Sequence, residues 1–150
     1  MTYCIILILV YAFYLYKHSK SDFFKQPREI LAIKRQHLIQ VLNDFEVKDI
    51  ERWLESYDAF KNYPNIYTYD GATIVRDRDT IFQYDAPAGN HDFGYLQIKK
   101  LSYFIWLKES FYLDLQYVKD MRTLQVDFIS AYSRLIGLII IKPFYPLTQI

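Results

Sequence analysis

Gly89-Asn90-His91-Asp92-Phe93-Gly94-Tyr95 is the stretch on which the reading of this chain turns. His91 and Tyr95 stand four residues apart, so on a helix they share one face, a turn from each other. Asp92 points to a different side and is free to hold something the imidazole does not. Upstream, Ala86-Pro87-Ala88-Gly89-Asn90 reads as a lead-in, with Asn90 as the expected N-cap of a helix that begins there. Downstream, 111–125 and 126–141 read as two more helices. In the first of them Asp114 is a carboxylate between two leucines on an otherwise apolar stretch.

These residue types suit ester hydrolysis by water. A base must deprotonate the water, and a positive centre must stabilise the oxyanion. A histidine serves the first need near neutral pH. A calcium ion held by carboxylate and carbonyl oxygens serves the second. The histidine in turn needs a buried carboxylate to fix its tautomer, and Asp114 is the best placed.

Working outward toward the N-terminus, 66–73 and 80–84 carry aromatic and β-branched residues and read as two short strands. Asp70-Gly71 makes a tight bend, and Arg76-Asp77-Arg78-Asp79 is a charged turn. Tyr63-Pro64-Asn65 breaks the chain between this hairpin and a helical arm. In the arm, Ile30, Ile33, Leu38, Val41, Leu42 and Phe45 recur at helical spacing. Val47, Ile50, Trp53, Leu54, Tyr57 and Phe60 continue the pattern after a break at Asn43-Asp44. Lys48, Asp49, Glu51, Arg52 and Glu55 read as the solvated face of that second helix.

Residues 3–16 form an uncharged apolar run, with Lys17 and Lys20 directly after it. Sixteen residues of helix reach about 24 Å, short of a ~30 Å hydrocarbon core, but snorkelling lysines and interfacial tyrosines make up the difference. No basic residue precedes the run and no small-x-small site follows it, which disfavours a cleaved signal peptide. The positive-inside rule places the rest of the chain on the cytoplasmic side or its equivalent. At the other end, 135–141 is apolar but too short to span a bilayer, and reads as a closing core helix before a proline-bounded tail at Lys142-Pro143. An alternative has Ile139 to Tyr145 dipping into a lipid interface, which places the site over its substrate.

The totals narrow the classes further. A chain of 150 residues supports one real core. Lys and Arg number 18 against 17 Asp and Glu, a balance that argues against a nucleic-acid partner. Fifteen tyrosines and eleven phenylalanines give an aromatic load suited to membrane interfaces or broad contact surfaces. A single cysteine, Cys4, excludes an intrachain disulfide, and three histidines leave no multi-histidine metal site.

His91-Asp92-x-x-Tyr95 resembles the His-Asp-x-x-Tyr core of the phospholipase A2 fold, including the disulfide-free versions in parvovirus capsid proteins. The resemblance implies that His91 is the base, that Asp92 binds calcium, and that Tyr95 bonds to Asp114, which orients the histidine. It also implies a calcium loop, for which Asp70, Gly71 and Thr73 are the candidates. That loop has one glycine where the secreted enzymes have several, and glycine is what lets carbonyls turn onto the ion. A second resemblance, to uncharacterised phage proteins, runs through Asp70-Gly71-Ala72-Thr73, Pro87-Ala88, His91-Asp92, Asp114-x-x-Tyr117 and Arg134-x-x-Gly137.

The expected protein is mainly α with a small β-hairpin. It has a transmembrane anchor at 1–18, a helical arm or linker at 19–62 and a phospholipase A2-like domain at 63–150. Its expected activity is calcium-assisted hydrolysis of an acyl ester of membrane lipid, with His91, Asp114 and Tyr95 catalytic and Asp92, Asp70, Gly71 and Thr73 at the metal. The alternative is a non-catalytic structural protein of a virion or membrane assembly, contacting partner proteins through the arm at 28–60.

Overall fold

The computed structural model describes residues 29–66 and 82–142, and within them the protein is helical, with six helices and no strand. Helix α1 is the single turn Glu29–Ala32, α2 is Arg35–Asp44, and α3 is Ile50–Asn62. Helix α4 is Phe82–Ile98, α5 is Tyr103–Thr123, and α6 is Phe128–Ile141. Among the described residues, no helix is long and apolar enough to cross a membrane. The expected anchor at 1–18 lies outside them.

Local sequence explains most of these elements. Leu38 and Leu42 in α2 are a turn apart and both fully buried. In α3 the buried positions Trp53, Leu54, Tyr57 and Phe60 follow one helical stripe. In α5, Trp106, Ser110, Asp114, Tyr117 and Met121 do the same. Asp127 caps α6, its side chain accepting from the Ser130 amide at 2.9 Å.

Helices α2 and α5 end alike. After α2, the Val47 amide donates to the Leu42 carbonyl at 3.0 Å and the Glu46 amide to Asn43 at 2.9 Å. After α5, Val126 donates to Met121 at 2.9 Å and Gln125 to Arg122 at 3.1 Å. Both are Schellman motifs, closed by a buried valine that packs in the same core as the residue whose carbonyl it caps. The left-handed position is taken by Glu46 (φ 54°) and Gln125 (φ 65°), where glycine is usual.

Helix α4 begins at Phe82, not at Asn90, and this corrects the sequence reading. Phe82, Gln83 and Tyr84, expected in the second strand of a hairpin, form its first turn, and Ile66 lies in a turn after α3. The rest of the expected hairpin, including Asp70, Gly71 and Thr73, falls outside the described residues. The reason for the early start is packing. Ala86, Pro87, Ala88, Gly89 and Asn90 are buried in sequence, so this part of α4 is enclosed on every side. Small side chains let neighbouring helices approach, and that outweighs the missing amide of Pro87, which leaves the Gln83 carbonyl without its usual helical donor. Helix α5 also starts earlier than expected, at Tyr103 rather than Phe111.

Two apolar cores result. One joins Ile30, Leu38, Leu42, Val47, Trp53, Leu54 and Tyr57 to Ala86 and Leu124. The other joins Ala88, Tyr117, Val118, Met121, Val126, Ala131 and Leu135. The segment read as an arm is thus packed onto α4. A hydrogen bond reinforces this, the Ile30 amide donating to the Asp85 carboxylate of α4 at 2.8 Å, while inside the segment the Tyr57 hydroxyl donates to the Ile33 carbonyl at 2.6 Å.

Candidate functional site

The site is built where α4 faces α5. Gly94 sets the separation there: a Cβ at that position would lie 2.6 Å from Cδ2 of Leu113, the residue before Asp114. This close approach brings His91 and Tyr95, one turn apart on α4, onto the fully buried Asp114 carboxylate. His91 Nε2 lies 2.9 Å from Asp114 Oδ1, and the Tyr95 hydroxyl donates to the same oxygen at 2.8 Å. The three residues singled out as catalytic in the sequence are therefore in mutual contact.

The carboxylate fixes the imidazole tautomer. Nε2 faces an acceptor, so it carries the proton, and Nδ1 is left with its lone pair. Nδ1 looks toward Asp92, with Asp92 Oδ1 at 3.9 Å, beyond a direct hydrogen bond. The ring is held between two tyrosines, with Tyr95 at 4.6 Å and Tyr117 at 4.9 Å between centroids. Trp106 stands edge-on to Tyr95 at 6.1 Å. Behind Tyr117, Arg134 donates to its hydroxyl at 3.3 Å and lies over the Tyr84 ring. Arg134 and Tyr117, both part of the phage-type pattern, thus form one supporting layer for His91.

Lys142 is the participant that sequence reasoning missed. It sits at the end of α6, is buried, and forms an ion pair with Asp114 Oδ2 while lying over the Phe111 ring. A signal for it existed: Ala131, Leu135, Leu138 and Lys142 follow one helical stripe, of which the first three are apolar and face the core. The reading of Lys142 as the start of a proline-bounded tail overlooked that spacing. Asp114 therefore engages three side chains, two on one oxygen and one on the other.

Electrostatics follow from this crowding. Burial alone favours the neutral form of His91, but the Asp114 hydrogen bond and the Asp92 carboxylate outweigh it and hold the imidazole above the usual histidine range. Burial pushes the Asp114 carboxyl up, and hydrogen bonds from His91 and Lys142 more than reverse it, leaving it below the usual range. Lys142 is pushed down by burial, with Asp114 offsetting only part of the effect.

A second polar cluster braces the site from the α3 side. Arg52, expected on a solvated face, instead reaches the buried Asp120 with two hydrogen bonds at 2.9 and 2.6 Å. Gln116 donates to Asp120 at 2.9 Å and Asn90 at 3.3 Å, while the Ser56 hydroxyl donates to Asn90 at 2.5 Å. Asn90 is thus not a helix cap but an interior link between α3, α4 and α5, directly before His91.

For calcium, the described residues supply one of the expected ligands. Asp92 contributes a carboxylate beside His91, and Asp70, Gly71 and Thr73 lie outside the described residues. Among the described residues, no group of three or more His, Cys, Asp or Glu side chains is placed to hold a metal ion. They do not make a calcium site by themselves. No protein-family model matches the chain, nor does any curated protein or solved structure, so the resemblance drawn from its motifs rests on those residues alone.

Proposed function

We propose that this is a membrane-anchored hydrolase of the phospholipase A2 type, in which His91 is the general base for water attack on an acyl ester of lipid. The observation that carries the reading is the sharing of one Asp114 oxygen by His91 Nε2 and the Tyr95 hydroxyl. Asp114 fixes the proton on Nε2, so the Nδ1 lone pair is the one available to take a proton from water. As the imidazolium forms, Asp114 stabilises it, and the rings of Tyr95 and Tyr117 keep the imidazole from rotating. A calcium ion, when bound, would supply the positive charge an oxyanion needs, with Asp92 the described residue that would hold it. In this reading residues 1–18 anchor the domain at its substrate.

The test is calcium-dependent release of fatty acid from mixed phospholipid vesicles by the full chain. Parent protein is expected to release it and His91→Gln to lose at least about a hundredfold in rate, the usual worth of a general base. Equal rates in the two would remove the proposal.

The ion pair of Lys142 with Asp114 favours a second reading. A buried carboxylate engaged by three side chains also serves as a structural knot, and the chain would then be a scaffold in a virion or membrane assembly. That reading expects no turnover and no calcium in the purified protein, with the 28–60 surface covered by a partner protein.

A further inference from the structure

The described surface is strongly two-sided. From Ile30 to Asn62 no large hydrophobic side chain is exposed, and on that side only Tyr63 and Ile66, just past the end of α3, are exposed among the described residues. The exposed positions there are mostly polar or charged, and from Lys34 to Lys61 the chain has six acidic residues against five basic ones. Helices α5 and α6 are the opposite. On α6, Phe128, Ile129, Tyr132, Ile136, Ile139 and Ile140 are all exposed, and Ile129 is 79% so. At a helical pitch they fall on one continuous face, interrupted among exposed polar residues only by Ser133. The first half of α5 adds Tyr103, Tyr112 and Phe104, the last 82% exposed. An apolar face of this kind on a folded protein marks contact with a protein or a membrane.

Charge decides between them. From residue 99 to 142 the exposed charged side chains are Lys99, Lys100, Lys108, Lys119 and Arg122 against Asp127, with Glu109 half-buried. Lys108 stands within the apolar patch itself, over the Tyr112 ring at 6.0 Å. Cations interleaved with isoleucine, phenylalanine and tyrosine suit the boundary between acyl chains and anionic headgroups. Helix α6, at 14 residues and about 21 Å, is too short to cross a bilayer but long enough to lie in its surface.

We infer that the α5–α6 face is an interfacial surface for anionic lipid, with α6 lying flat in the headgroup region and α2 and α3 turned to water. The inference shares the membrane location of the reading above but does not depend on hydrolysis. It also points toward the site. Lys142, which ends the lipid-facing helix, holds Asp114, and Phe111 beneath it is exposed at the edge of the patch.

The test uses the full chain with Cys4→Ser, so that a single introduced cysteine carries an environment-sensitive fluorophore, at Ile136→Cys or at Glu51→Cys. Vesicles are phosphatidylcholine with or without phosphatidylglycerol, and lipid-borne and aqueous quenchers report the label's depth. On anionic vesicles the label at 136 is expected to be quenched by lipid and shielded from iodide, and the label at 51 to behave oppositely. Lys108→Glu with Lys119→Glu should weaken the response at 136 severalfold. Co-sedimentation with vesicles while 136 stays open to iodide would overturn the inference and leave the anchor standing. Self-quenching between labels at 136 in lipid-free detergent would overturn it in favour of a second copy on this face. Absence of co-sedimentation would overturn the inference and the anchor together.

Discussion

Removing the charge of Asp114 should strand Lys142, and the size of that effect can be worked from the contacts. Asp114→Asn keeps an oxygen for His91 and Tyr95, now at 2.9 and 2.8 Å from a neutral acceptor, but turns an amide toward the Lys142 ammonium. Breaking a buried ion pair by removing one partner costs about 3–5 kcal/mol, most of it the uncompensated charge. Lys142→Met alone leaves the carboxylate with two donors, so its cost is smaller, about 1–3 kcal/mol. In the double variant no charge is stranded. Simple addition gives roughly 4–8 kcal/mol, whereas removal of the pair together should cost only about 2–4, a coupling of about 2 kcal/mol or more. For a chain of this length, Asp114→Asn alone corresponds to a fall in Tm of roughly 6–20 °C. The assay is urea unfolding of the full chain in mild detergent, followed through Trp53 and Trp106. A coupling below about 0.5 kcal/mol, the range for independent sites, would refute the buried pair as the organiser of the site.

Other predictions follow from the same geometry. His91 has a folded pKa above its unfolded value, so its stabilising contribution is complete below about pH 6.5 and is lost as pH rises through the folded value. Asp114 is displaced downward, so its contribution is present above about pH 3.9 and is lost as pH falls through its folded value. Urea midpoints across pH should therefore fall on the alkaline side in the parent and much less in His91→Gln; parallel curves would contradict the assignment. Gly94→Val should destabilise by about 1–3 kcal/mol through collision with Leu113, and Leu113→Ala should restore part of it; Gly94→Ala should stay within about 1 kcal/mol, because a gain in helix propensity opposes the contact. Gln125→Gly should stabilise by about 1 kcal/mol by relieving the left-handed backbone after α5, read as a higher urea midpoint at unchanged slope.

The parts legible in the sequence were those governed by local periodicity. The stripes Leu38–Leu42 and Trp53–Tyr57–Phe60 give the helices of the first half, because apolar spacing and burial coincide there. The partnership of His91 with Asp114 was legible because a histidine base needs a buried carboxylate and Asp114, between leucines, offers one, whereas the Tyr95 bond to the same oxygen came only from the resemblance to the phospholipase A2 fold. What local pattern could not show was long-range compensation. Ala86 to Asn90 looks like a loop by its proline and glycine, yet it is helical because its small side chains let α4 be enclosed by its neighbours. Arg52 and Lys142 look like surface charges, and each is drawn inward by a buried aspartate 68 or 28 positions away in sequence.

Helix α4 has a consequence for how the molecule comes apart. Ala86 belongs to one core and Ala88, two residues on, to the other. Leu124, at the end of α5, lies in the core made largely by residues before 58, and Asp120 is tied to Arg52 of α3. The two halves therefore share the same helix and cannot melt in turn. Loss of residues 29–62 would bare Ala86, Leu124 and the Asp120 carboxylate at once, so the helices that carry the histidine and its aspartate depend on that segment for their packing. Amide exchange should accordingly report one opening event for α3, α4 and α5, with slowest-exchanging protons of equal free energy in all three.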